Sequence, residues 1–369
     1  MYRNDNRVVV TLDAGGTNLV FSAMRGYEFI VDPITYPTHA EDLDTCLNTM
    51  LKGFREVIEK LDEAPVAVSF AFPGPADYRR GIIGGYLPNF PSFRDGVALG
   101  PFLSRELKLP VFINNDGDLF ALGEAKGGIL PEINRRVKEL GGSQTYTNLL
   151  GYTFGTGLGI GEVINGQLNL GNNCCIETFC LPSKTLPGII AEDGAAIRSI
   201  KRVYASLSGV NDPSLQPYDI YLIADGQKEG DAEAAKKAFE SFGREAGNAM
   251  ATAVTLTDSL IVVGGGLTGA CKYIMPALLD EMRSTLKTLD GNDVSRVQMR
   301  VFNLDDELEF AKFVVGDSRP LKVYGSDDVV TYNPMKRTGI AISKLGASKA
   351  ISIGAYSYAL GAIDSSNEA

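Results

Sequence analysis

Two kinds of hydrophobic spacing alternate along this chain. Short, nearly continuous apolar runs predict strands at residues 8–12, 19–24, 64–72, 110–113 and 260–263. Apolar residues at helical spacing predict helices at residues 41–61, 232–255 and 348–360, with a further helix from Leu119. Strands that alternate with helices predict an α/β fold with a mixed sheet.

Two glycine-threonine turns interrupt this pattern between predicted strands. The first turn comprises residues 13–18 and the second turn comprises residues 155–159. Glycine adopts positive φ without steric cost, so backbone N–H groups in such a turn can converge on an anion. The hairpin after the second turn closes at Asn165-Gly166, a strong type I′ signal. The repeated plan predicts two halves that grip one polyphosphate.

Carboxylates at the ends of predicted strands are the candidate chemical groups. Asp13 stands where Mg²⁺ on a phosphate would be held, usually through water. Asp116 follows the strand at 110–113 and suits a general base that takes a hydroxyl proton. The alternative for this region is a helix N-cap, a role that Asp118 fits better than Asp116.

A third glycine-rich segment follows the strand at 260–263. Gly264, Gly265 and Gly266 begin a G-x-G-x-x-G match, but it lies late in the chain and no ribose-binding acid follows. The segment therefore favours a nucleotide-contacting turn at a helix N-terminus over a Rossmann site. No G-x-x-x-x-G-K-[ST] occurs in the sequence, which excludes a P-loop NTPase.

Composition excludes several classes of binding partner and site. The net charge of −10 argues against nucleic acid. The start of the chain has no apolar signal core, and no apolar run reaches membrane-spanning length, so we expect a cytoplasmic protein without a membrane partner. The chain has a single histidine, which excludes catalytic or metal sites that need two histidines. Cys174, Cys175 and Cys180 are ill-spaced for zinc, and packing as small apolar groups is the favoured interpretation.

In this order the motifs resemble the ROK family of bacterial sugar kinases, within the actin-like ATPase superfamily. The segments that carry the resemblance are residues 13–18, 72–77 with Asn89, 115–124, 155–159 and 261–266. The resemblance implies a two-lobed, duplicated ribonuclease H-like fold with a mixed sheet in each lobe. The small lobe would comprise residues 1–117, joined by the C-terminal helix 348–364. The large lobe would comprise residues 118–347, with an elaboration at 301–337.

The resemblance also implies a function and a set of site residues. The implied activity would be ATP-dependent phosphorylation of a hexose, glucose or a related sugar, with Mg²⁺ and with Asp116 as the base. Asn89, Asn115, Asp116 and Glu177 would orient the sugar. The residues implied for ATP and its phosphates are Asp13, Gly15, Gly16, Thr17, Asn18, Gly155, Thr156, Gly157, Gly264, Gly265 and Gly266. Family members are often homodimers.

The chain departs from the family pattern on the sugar side. Glu177 stands at the family's sugar-binding glutamate, and Cys180 stands where a histidine is usual. The family's zinc motif is lost, so no structural zinc is expected. Glu192 is the nearest counterpart of a second sugar-binding glutamate. Two alternatives stay open: a kinase for an N-acetylated amino sugar, and a non-catalytic sugar or nucleotide sensor that keeps the fold.

Overall fold

The computed structural model describes residues 2–368 of the chain. The strands are β1 Val9–Ala14, β2 Asn18–Arg25, β3 Glu28–Phe29, β4 Ile34–Pro37, β5 Ala67–Ala71, β6 Ala76–Asp77, β7 Ile82–Ile83, β8 Val111–Asn114, β9 Leu149–Phe154, β10 Leu158–Ile164, β11 Gln167–Leu168, β12 Leu260–Gly264, β13 Thr285–Lys287, β14 Asp293–Ser295, β15 Arg300–Asn303, β16 Arg319–Lys322, β17 Val329–Tyr332 and β18 Arg337–Ile342. The helices are α1 Leu43–Glu59, α2 Leu99–Leu107, α3 Asp116–Lys126, α4 Ile129–Glu139, α5 Ile197–Ser208, α6 Pro217–Ala224, α7 Ala232–Thr257, α8 Cys271–Met282, α9 Glu307–Val315 and α10 Ala347–Glu368. Short 3₁₀ turns lie at Tyr2–Asn4, Pro91–Phe93, Ala191–Asp193 and Thr268–Ala270. The α/β prediction is confirmed.

The chain divides into two compact units. The first unit contains the chain up to Pro131, Ile160–Ile176 and the chain from Lys344 onward. The second unit contains Glu132–Gly159 and Glu177–Ser343. No helix among residues 2–368 is both long enough and apolar enough to cross a membrane.

The sheet of the first unit has the strand order β3-β2-β1-β5-β8, and β4 pairs with the first residues of β2, on the side away from β1. The β1–β2 pair is antiparallel, whereas β1–β5 and β5–β8 are parallel, so the sheet is mixed. Successive residues of β1 face opposite sides. Val10 joins a core with Phe54 of α1, and Val9 joins a separate cluster with Tyr356 of α10. Helices therefore cover both faces.

The second unit is built on the parallel strands β9, β12, β18 and β15, in that order. The buried helices α7 and α8 pack tightly because α7 carries small residues at the contact. A Cβ on Gly247 would lie 2.6 Å from the backbone oxygen of Leu278 in α8. The predicted helix at 232–255 is α7, which is capped by Asp231 and extends to Thr257.

The boundaries of the two units differ from the predicted boundaries at 117 and 348. Helix α3 and the β10–β11 hairpin belong to the first unit. The reason is close packing between glycines and backbone: a Cβ on Gly123 would overlap the backbone oxygen of Ala350 in α10. Such contacts between distant segments leave no trace in the local hydrophobic pattern.

The N-cap of α3 is a second difference. The helix begins at Asp116 and its cap is Asn115, whose Oδ1 accepts a hydrogen bond from the Gly117 N–H at 2.8 Å. Asp118 lies inside the helix and is buried. The interpretation of Asp118 as the cap is therefore wrong. Asn115 follows β8 directly and has the extended backbone that a cap requires.

The polar region at 301–337 is more than an elaboration. Its first residues form β15, which pairs in parallel with β18 inside the main sheet of the second unit. Helix α9 follows, and only the β16–β17 hairpin stands outside that sheet. The predicted extra hairpin is thus confirmed, but the segment also contributes a core strand because Val301 and Phe302 are buried.

Candidate active site

Three parallel strands of the first unit end at the same edge of their sheet. Asp13 in β1 is in register with Ala71 in β5, and Ala71 is in register with Asn114 in β8. Asp116 follows β8 after one residue. The carboxyl edge of a parallel sheet is where ligands bind in open α/β folds. The structure thus brings Asp13 and Asp116 to one edge, as their positions after predicted strands indicated.

Asp116 occupies the first position of α3. Its Oδ1 accepts a hydrogen bond from the Gly117 N–H at 2.9 Å. Protein atoms crowd this helix start, although the side chain keeps access to solvent. The resulting loss of solvation raises the pKa of Asp116, and the Asp13 carboxylate adds to the rise. A raised pKa makes the ionised carboxylate a stronger proton acceptor.

Glycines fix the position of α3 against β10. A Cβ on Gly117 would overlap the backbone of Ile160, and a Cβ on Gly161 would overlap the Gly117 oxygen. Only glycine permits this backbone-to-backbone approach. The start of α3, and with it Asp116, is therefore held by main-chain contacts.

The first turn is held by backbone and hydroxyl groups. The Gly15 N–H donates to the Asn18 oxygen at 2.9 Å, which closes the turn between β1 and β2. The buried Thr38 hydroxyl donates to the Gly15 oxygen at 2.6 Å, and the Thr38 N–H donates to the Thr17 oxygen at 3.0 Å. Thr38 was not predicted, because no local motif marks it.

Two asparagines of the predicted sugar side lie near these groups. Asn89 is exposed and packs beside the first turn, where a Cβ on Gly16 would lie 3.1 Å from the Asn89 Cβ. Asn115 uses its Oδ1 as the α3 cap, and its Nδ2 donates to the Tyr78 hydroxyl at 3.4 Å. The first unit therefore gathers Asp13, the first turn, Asn89, Asn115 and Asp116.

In the second unit the second turn lies against the third glycine segment. Strands β9 and β12 are parallel neighbours, with Thr153 opposite Gly264. Gly265 has a φ of +93°, and a Cβ there would lie 2.5 Å from the Phe154 oxygen, one residue before the turn. The structure thus joins two motifs that are more than a hundred residues apart in sequence.

The sugar-side candidates of the second unit lie in one paired segment. The Glu192 N–H donates to the Phe179 oxygen at 3.2 Å, next to Cys180. Glu177 is half-buried; burial raises the pKa of Tyr152, and the negative charge of Glu177 adds to that rise. Glu192 Oε2 accepts a hydrogen bond from the Leu158 N–H at 3.0 Å, so this side chain also contacts the second turn.

The cysteines do not pack as predicted. Cys175 and Cys180 are exposed, and only Cys174 is half-buried. The packing interpretation is wrong for the two exposed thiols, because they lie in loop segments outside the core. In the described part of the chain no group of three or more His, Cys, Asp or Glu side chains is placed to hold a metal ion. The expected lack of structural zinc stays a prediction.

A buried carboxylate anchors the loop where the zinc motif is missing. Glu245 of α7 accepts hydrogen bonds from the Ser183 hydroxyl at 2.9 Å, the Lys184 N–H at 2.8 Å and the Thr185 hydroxyl at 2.8 Å. The Lys184 ammonium group pairs with Glu281 of α8 at 2.6 Å. The sequence analysis missed Glu245, since nothing in a helical pattern distinguishes it from a solvated glutamate.

Comparison with known proteins agrees with this fold, which is that of the actin-like ATPases. The ROK family model matches residues 9–178, and this chain belongs to the ROK family. A crystal structure of a glucokinase from Parabacteroides distasonis shares 52% sequence identity and covers 98% of this chain and 99% of that chain, with a TM-score of 0.90.

Two curated relatives are more distant. A glucokinase from Thermotoga maritima is 28% identical over 166 residues, a match that covers 45% of this chain and 47% of that protein. An N-acetylgalactosamine kinase from Shewanella is 27% identical over 269 residues and covers 69% of this chain and 80% of that protein. The resemblance inferred from the motifs is therefore confirmed at the level of the family.

Proposed function

We propose that this protein is an ATP-dependent hexose kinase and that glucose is its first candidate substrate. The observation that carries the proposal is Asp116, a carboxylate with a raised pKa at the start of α3, on the same sheet edge as the first turn and Asp13. The 52% identity to a glucokinase along nearly the whole chain supports the choice of sugar.

In this proposal Asp116 accepts the proton of the sugar hydroxyl while that oxygen attacks the γ-phosphorus of ATP. Asn89, Asn115 and Glu177 hydrogen-bond other sugar hydroxyls and hold the attacking oxygen in line. The two turns and the third glycine segment bind the nucleotide through backbone N–H groups. Phosphoryl transfer depends mainly on such positioning and on charge stabilisation.

The residues present fit a magnesium ion on the phosphates. Asp13 offers an exposed carboxylate at the end of β1, the hard oxygen ligand that Mg²⁺ prefers, directly or through water. Its charge also acts unfavourably on Asp116, a repulsion that a cation would relieve. The bound ion would neutralise phosphate charge. Asp13 would hold it, and Asp116 would stay available for the proton.

A coupled assay of ADP release against a panel of hexoses tests the activity. Wild type should turn over glucose, and Asp116→Asn should lower kcat by about 10²–10⁴-fold, the usual contribution of a general base. The matched control is Asp62→Asn, which makes the same change at another exposed carboxylate of the first unit. This variant should keep full activity. Turnover by Asp116→Asn within a few-fold of wild type would contradict the assignment.

An N-acetylated amino sugar is the second candidate substrate. The Shewanella N-acetylgalactosamine kinase matches more of this chain than the Thermotoga glucokinase does. The same panel should therefore include N-acetylglucosamine and N-acetylgalactosamine, and the higher kcat/KM decides between the classes. Nucleotide binding without ADP release on any sugar would instead favour the sensor.

A further inference from the structure

Two side chains of opposite charge, Glu192 and Arg198, hold the second turn. Arg198 is the second residue of α5, and its guanidinium group donates in three directions. Nε donates to Asp193 Oδ1 at 2.6 Å, Nη2 to Glu192 Oε1 at 2.9 Å and Nη1 to the Thr156 oxygen at 3.1 Å. One arginine thus connects two carboxylates to the backbone of the turn.

Glu192 holds the other side of the same turn. While Oε1 accepts from Arg198, Oε2 accepts from the Leu158 N–H at 3.0 Å. A Cβ on Gly157 would lie only 2.7 Å from Oε2, so the carboxylate rests directly on the turn. One carboxylate oxygen therefore contacts the second turn directly, and the other contacts Arg198, which itself bonds the turn.

The bond from Arg198 to Thr156 fixes the orientation of one peptide group. Because a trans peptide is planar, its C=O and N–H point in opposite directions. Holding the Thr156 oxygen on Arg198 directs the Gly157 N–H to the opposite side. If the plane rotated, an oxygen would replace an N–H on the side available to an anion, and it would repel phosphate.

We infer that Glu192 and Arg198 are positioning residues that hold the second turn in its phosphate-binding conformation. Glu192 then acts on the nucleotide side, through the Leu158 N–H and Arg198, instead of as a second sugar ligand. The inference rests on the proposed function only in taking the second turn as a phosphate site. The Ile197 N–H, which donates to the Gly155 oxygen at 2.9 Å, ties the same helix start to the turn by backbone.

Calorimetric titration of purified full-length protein with ATP·Mg²⁺, without sugar, tests the inference directly. Arg198→Lys keeps the charge but loses the fork of donors, and Glu192→Gln removes the ion pair. Each should weaken ATP binding by about tenfold or more, as expected for hydrogen bonds to charged groups. Arg202→Lys is the matched control: Arg202 lies one turn further along α5, and its Nη2 donates to the Asp193 backbone oxygen at 3.1 Å. ATP affinity should be unchanged in this control.

Steady-state kinetics then separates nucleotide from sugar effects. Both variants should raise KM for ATP and leave KM for glucose within about twofold. A Glu192→Gln variant with a raised glucose KM and unchanged ATP binding would make Glu192 a sugar ligand and overturn the inference. Wild-type ATP affinity in Arg198→Lys would overturn it as well, even if Glu192→Gln failed to fold. Failure of every hexose as a substrate would instead refute the proposed function, and the ATP titrations would still decide the role of the pair.

Discussion

In the first turn, the groups that hold the backbone are a threonine hydroxyl and main-chain amides, all neutral. In the second turn, the backbone is held by the carboxylate of Glu192 and the guanidinium group of Arg198. Charge is distributed differently as well. Near the first turn the Asp13 carboxylate repels the Asp116 carboxylate, whereas beside the second turn Arg198 forms ion pairs with Glu192 and Asp193. Similar turn sequences are thus supported by different interactions, so substitutions should affect them unequally.

The largest effect is expected from the glycine behind the second turn. Gly265→Ala places a Cβ at positive φ and 2.5 Å from the Phe154 oxygen, so the backbone must shift. We expect a loss of about 2–4 kcal/mol in the free energy of unfolding, measured by chemical denaturation. Gly266→Ala, with open space around its Cβ, should lose less than about 1 kcal/mol. Gly16→Ala at the first turn should fall between the two, because the Asn89 side chain can move. Equal losses of unfolding free energy in Gly265→Ala and Gly266→Ala would show that the close approach of Gly265 to the Phe154 oxygen does not affect stability.

The loop that carries Glu192 gives the next largest effect. Glu245→Ala leaves the Ser183 and Thr185 hydroxyls and the Lys184 N–H without their acceptor. The Ser183 hydroxyl is buried, whereas Lys184 and Thr185 are exposed and can bond to water instead. An unsatisfied buried group costs about 1–3 kcal/mol, so we expect a loss of about 1–3 kcal/mol in the free energy of unfolding. Glu245→Gln keeps one acceptor oxygen and should lose less. If ATP affinity and stability both stay at wild-type values in Glu245→Ala, the second turn does not depend on this loop.

At the first turn, loss of one neutral hydrogen bond should have a smaller effect. Thr38→Val removes the hydroxyl that donates to the Gly15 oxygen while keeping the shape of the side chain. A neutral hydrogen bond contributes about 0.5–1.5 kcal/mol, so KM for ATP should rise about 2–10-fold. Thr35→Val, on the exposed side of β4, is the matched control and should leave KM unchanged. A larger rise than that of Arg198→Lys would reverse the order of the two turns.

The smallest effect concerns the uncompensated charge beside the first turn. The pKa of Asp116 is raised on folding, so its contribution to stability is fully present below about pH 4 and is lost as the pH rises through the folded pKa. Asp116→Asn should therefore have a higher Tm than wild type at pH 7, and the difference should vanish near pH 4. Thermal unfolding at both pH values measures it. A variant that is less stable than wild type at pH 7 would contradict the sign of the pKa shift.

Much of the fold followed from local patterns. The apolar runs that became β1, β5, β8 and β12 were recognisable because buried strands need continuous apolar residues. The long helix α7 was recognisable from its spacing. Asn165 and Gly166 both have positive φ, as the hairpin signal predicted. Element ends were less certain, as the early start of α3 shows, because the cap depends on where the preceding strand leaves the sheet.

By itself the sequence identified the candidate residues for chemistry: the two glycine turns, and carboxylates placed directly after strands. It also determined the family, since those motifs appear in a fixed order. Only the tertiary structure decided which distant side chains support them. Glu192 and Arg198 contact the second turn from more than thirty residues further along the chain. Thr38, which directly follows β4, contacts the first turn. Such contacts depend on the packing of whole segments, and local periodicity carries no information about that packing.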